Sequence, residues 1–132
     1  MIEQTLKSIP NLALFQCVTC KVLSQLKLAF PNPSDISCTQ LAQQIINDTP
    51  LANTFVLDVA IEINAVISWL EKAGLIWVGG HDLNDFFDVT LSKQGLSKLL
   101  IEMEGNSLAQ QLTNLPSEEV QFEIIKSLIS NY

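Results

Sequence analysis

The sequence predicts a mainly α-helical fold with a small β-hairpin and further helices at the C-terminal end. Three observations carry that expectation. Apolar residues recur at three- and four-residue spacing in separate stretches, as helices with one buried face require. The run Trp69 to Leu100, WLEKAGLIWVGGHDLNDFFDVTLSKQGLSKLL, reads as helix, glycine stop, strand, polar loop, strand and serine-capped helix. Prolines, glycines and serines stand where these segments begin and end.

Residues 11–30 form the first helical candidate, with Phe15, Val18, Val22, Leu26 and Ala29 on its buried face and Pro31 and Pro33 ending it. Ser37 or Thr39 can cap a short second helix through Leu41, Ala42, Ile45 and Ile46. Asp48-Thr49-Pro50 has the form of a helix entry. The periodicity of Val56, Val59, Ile63, Val66, Ile67 and Leu70 favours one helix over 53–73, roughly 30 Å long. Alternation through Leu57, Val59, Ile61 and Ile63 leaves open a strand over 55–63 before a shorter helix. Gly74 supplies the left-handed stop. Leu75–Val78 and Phe87–Leu91 pair as antiparallel strands, Gly79-Gly80 turning the chain and His81 to Phe86 filling the loop. Ser92 caps a helix over 93–104 that buries Leu96, Leu99, Leu100 and Met103 and stops at Gly105-Asn106. A helix at about 107–114, a break at Pro116 and a last helix opening on Ser117-Glu118-Glu119 complete the chain. Val120, Ile124 and Leu128, with Phe122, Ile125 and Ile129, give that last helix a wide apolar face.

At 132 residues the chain is long enough to bury one core without a metal or disulfides. Hydrophobic residues make up 48 % and charged ones 16 %, so apolar surface can remain for a partner. No continuous apolar run suggests a bilayer span. MIEQTLKSIPNLALF lacks a basic stretch ahead of a long apolar core, which argues against a signal peptide and makes cytoplasmic the expected location. The net charge is −7, and every basic residue is a lysine. Without arginine the chain lacks the bidentate fork that reads guanine and clamps phosphate. Its lysines are scattered, and an acidic chain repels a polyanion at long range.

The segments WLEKAGLI (69–76) and VTLSKQGLSKLL (89–100) resemble the winged-helix superfamily in the style of MarR- and PadR-like regulators. There a leucine-rich recognition helix runs into Gly-Leu-Ile, and a Leu-Thr-x-x-Gly turn follows the wing. Here that turn is Leu91-Ser92-Lys93-Gln94-Gly95. The resemblance implies a winged helix-turn-helix domain over 1–104, with Leu41-Ala42 in its first helix. Residues 105–132 would be a C-terminal helical extension packed on the same domain. It also implies DNA binding, which the charges oppose. Helix 53–73 sets Asp58, Glu62 and Glu71 against Lys72 alone, and the wing carries His81, Asp82, Asp85 and Asp88.

Cys17 and Cys20 form a C-x-x-C pair that Cys38 and His81 could complete as a Cys₃His metal site. Helical geometry turns both away from the Phe15/Val22/Leu26 face, toward accessibility. A zinc pair normally sits on a knuckle turn, however, and small cysteines are common in cores, so packing is the favoured role and no cofactor is expected. His81 reads as a solvated turn residue, and Asp82, Asn84, Asp85 and Asp88 lack the ligand order of a calcium loop. No phosphate-binding or catalytic constellation stands out, so an enzyme is not expected. A second apolar strip, Leu57, Ile61 and Ala65 with Trp69 on its flank, is either buried by the tail helices or a contact surface. With Phe122 and Ile129 it makes the expected interaction surface. The partner is another protein or a second copy of the chain. The alternative is a DNA-binding transcriptional regulator of winged-helix type, in which dimerisation gathers Lys72, Lys93 and Lys98 on one surface.

Overall fold

The structure, a computed structural model, describes Ser8 and residues 12–48, 55–100, 102–103, 106–107 and 117–129. In order the elements are α1 (Leu12–Ala29), β1 (Ser34–Ser37), α2 (Cys38–Asp48), α3 (Val56–Lys72), β2 (Ile76–Trp77), β3 (Gly80–Asp82), β4 (Asp85–Leu91), α4 (Lys93–Leu99), β5 (Glu102–Met103), β6 (Asn106–Ser107) and α5 (Glu118–Ile129). The fold is mainly helical with a small antiparallel sheet, as the sequence predicts.

The helix α1 stops one residue before Phe30-Pro31, where proline ends helical geometry. Val18, Val22 and Leu26 are buried as expected, but so are Gln16, Thr19, Cys20 and Leu23. The buried arc is wide because α1 packs against α3, α5 and β4 together. By length and apolar content α1 would also suit a bilayer; here Val18, Val22, Leu23 and Leu26 lie in the domain core while Leu28 is exposed. The hydroxyl of Ser37 accepts from the Gln40 N–H at the start of α2, and that of Ser117 accepts from Val120 at the start of α5.

Helix α3 is continuous from Val56, so the strand alternative over 55–63 does not form. The proposed entry at Thr49-Pro50 lies outside the described residues. Val59, Ala60, Ile63, Val66, Ile67 and Leu70 face inward, mainly onto α2 and α1. Gly74, at φ +81°, turns the chain out of the helix.

Strand β4 is the centre of the sheet, with β1 on one side and β2 and β3 on the other. The antiparallel pairing expected of Leu75–Val78 with Phe87–Leu91 forms over a shorter stretch, Ile76 pairing with Leu91 and Trp77 with Thr90. The reversal does not come at Gly79-Gly80. The chain runs on through β3, Asp82 pairs with Asp85, and the turn is made by Leu83 and Asn84. Gly79 is needed for another reason: a Cβ there would sit 2.7 Å from the Asp88 Cβ. Asp88, at φ +53°, belongs to a bulge in which β4 carries an extra residue between its pairs with Ser34 and Ile36. The Asp88 N–H, displaced by the bulge, donates to Asp35 Oδ1 at 3.1 Å. Strand β1 itself was not foreseen.

The helix expected over 93–104 ends at Leu99. Leu100 is 66 % exposed, and Glu102–Met103 pairs with Asn106–Ser107 instead of extending the helix. The helix expected at about 107–114 lies outside the described residues apart from Ser107, which is in β6. Ile124, Ile125 and Leu128 of α5 join the same buried cluster as the rest of the domain.

Candidate interaction surface

Ser92 links the two ends of the hairpin. Its N–H donates to the Leu75 carbonyl at 3.1 Å, its hydroxyl donates to the Gly74 carbonyl, and the same oxygen accepts from Gly95 N–H at 2.9 Å. A Cβ on Gly95 would land on the Leu75 carbonyl oxygen, so only glycine lets α4 start this close to the end of α3. The segments 69–76 and 89–100 are thus brought into direct contact, and the side chains they share are structural.

The hairpin tip is tied to two helices. Asn64 Nδ2, on α3, donates to the Leu83 carbonyl at 2.8 Å, and His81 Nε2 lies 2.8 Å from the same oxygen. The Asn84 carbonyl accepts from the Cys38 N–H at 2.8 Å, where α2 begins. The His81 ring stacks on Phe86, with centroids 4.5 Å apart. His81 is therefore exposed yet held by the Leu83 carbonyl and the Phe86 ring. Leu83 takes φ +51° and is 82 % exposed, an arrangement unfavourable for leucine that these bonds to its carbonyl maintain. The Asn64–Leu83 contact is not legible from residue types, because leucine is a poor residue for a left-handed turn.

Leu57, Ile61 and Ala65 are exposed, the first two at 64 % and 60 %, so α5 does not cover that strip. Trp69 is 43 % exposed and meets Phe15 of α1 edge-on at 5.3 Å. Phe122 and Ile129, on α5, are half-buried against the core, with Lys126 Nζ 5.1 Å from the centre of the Phe122 ring. The five residues expected to form one surface divide into an open group on α3 and a packed pair on α5.

Lys72 and Lys93 are exposed, but Lys98 is buried at 6 % exposure and does not offer its side chain to a polyanion. Asp58, Glu62 and Glu71 on α3 and Asp82, Asp85 and Asp88 on the hairpin are all exposed.

The cysteines correct the accessible C-x-x-C picture. Cys17 is half-buried, whereas Cys20 and Cys38 are buried, because α1 is packed on more than one side. Among the described residues no three His, Cys, Asp or Glu side chains converge as a metal site, so Cys17, Cys20, Cys38 and His81 are not gathered. Burial, then the neighbouring Cys17, pushes the Cys20 thiol up to about 12; burial, then Asp85, pushes Cys38 up to about 11. Both stay protonated at neutral pH, and a protonated thiol is a poor nucleophile.

Comparison with protein-family models, with curated proteins and with solved structures gave no match.

Proposed function

We propose that this chain is a non-enzymatic winged-helix module that works through protein–protein contacts in regulation or assembly. The element order supports the winged-helix assignment: a packed pair of helices, α2 and α3, is followed by a hairpin and a serine-capped helix. The observation that carries the functional reading is the exposed face of α3. Leu57, Ile61, Ala65 and Trp69 lie open to solvent on the helix that a DNA-binding relative would place in the major groove. Such a face gains free energy by leaving water, at about 25 cal/mol per Å² of apolar surface, and only an apolar partner supplies that. Asp58, Glu62 and the hairpin aspartates border it and repel phosphate.

The same helix pair and hairpin also favour the second reading, a DNA-binding regulator drawing its cations, Lys72 and Lys93, from two copies. The buried Lys98 subtracts from that set. Titration of random duplex DNA at rising salt separates the two. The expected result is no measurable binding even at low salt. Micromolar affinity that weakens steeply with salt would show phosphate contacts and overturn the protein-contact reading.

A further inference from the structure

The exposed positions of α3 repeat on either side of Ala65. Asp58, Ile61, Ala65, Trp69 and Lys72 are all exposed and follow one another at spacings of three, four, four and three. At 3.6 residues per turn the five fall within an arc of about 80°. Size and charge follow the same order: an acid, a large apolar side chain, a methyl group, a large apolar side chain and a base. A two-fold axis beside Ala65 sets each position of one antiparallel helix against its counterpart on another. Ile61 then meets Trp69, and Asp58 meets Lys72.

We infer that a second copy of this chain docks antiparallel on α3, with the two helices closest at Ala65. The inference rests on the reading of the α3 face as a protein-contact surface and names its occupant. Ala65 allows close approach at the centre, and two Ile61–Trp69 contacts flank it. The two Asp58–Lys72 pairs at the ends fix direction and register more than they add affinity, since exposed ion pairs are weak. Antiparallel helices also oppose their dipoles favourably. A basic helix from another protein fits this face less well, because it would satisfy Asp58 and Glu62 but set like charge against Lys72. The net charge of −7 on each copy opposes association, but at physiological salt that repulsion is screened beyond about 8 Å.

The test is sedimentation equilibrium of the full chain through the micromolar range, beside Ala65→Glu, Asp58→Lys, Lys72→Asp and the double swap. Every substitution is at an exposed position, and unchanged circular dichroism and urea midpoints check folding. The expected result is twice the chain mass for the parent and a single-chain mass for Ala65→Glu. Each single swap should weaken association about tenfold or more, by putting like charges at both ends, and the double swap should restore it. A parent at single-chain mass throughout overturns the inference. So does a dimer that survives Ala65→Glu, or a double swap no tighter than the single ones. If the inference fails while duplex DNA still does not bind, the protein-contact reading stands and a basic helix becomes its partner. If salt-steep DNA binding appears, the protein-contact reading fails, and the sedimentation of Ala65→Glu and of the charge swaps still decides the pairing on α3.

Discussion

A methyl group at position 95 has nowhere to go, because the Leu75 carbonyl already occupies the space. Gly95→Ala must push α4 away from the end of α3 and disturb the bonds made by Ser92, so it should cost about 3 kcal/mol, read from the urea midpoint. Thr19 presents the opposite case. Its hydroxyl is fully buried and, like the Gln16 carbonyl, has no hydrogen-bond partner among the described residues. Thr19→Val keeps the shape and removes the unsatisfied oxygen, so it should stabilise the chain by about 1 kcal/mol in the same titration. A loss of stability there would mean that the hydroxyl is satisfied in solution.

Strand β3, the Leu83–Asn84 turn and α3 behave as one element because Asn64 bridges them. Asn64→Ala should leave the helix intact and loosen the turn, removing about 1 kcal/mol of local protection; amide exchange within 80–86 reads it directly. Elements set by local chemistry were legible in the sequence. Pro31 ended α1 within a residue, Ser37, Ser92 and Ser117 capped their helices, and Ile76 and Trp77 found Leu91 and Thr90. Elements set by distant partners were not. Strand β1 is four residues long and exists because β4 bonds to it. Gly79-Gly80 looked like a turn, yet the glycine answers a bulge on the opposite strand. The burial of Cys20 depends on α1 being packed from several directions at once. Of the candidate surface, the α3 strip was visible by spacing, while the packing of Phe122 and Ile129 and the burial of Lys98 needed the fold.

For the molecule as a whole, the buried thiols link stability to pH. Cys20 and Cys38 hold their protons more tightly folded than at the ordinary thiol value of 9.0. Their contribution is therefore complete below pH 9 and is lost as the pH rises toward 11 to 12. In urea titrations at rising pH the parent should lose stability above pH 9 faster than Cys20→Ala, and parallel curves would contradict the assignment. The clasp made by Ser92 has a consequence for heredity as well. It makes Gly74, Leu75, Ser92 and Gly95 interdependent, so a change at one is tolerated only if the others move with it. Residues at the exposed edges of the hairpin, such as Trp77, Asp82 and Asp85, take no part in the clasp. Mutation can rewrite the charge of the hairpin without touching the joint that anchors it, so an acidic hairpin and an intact scaffold can be inherited separately.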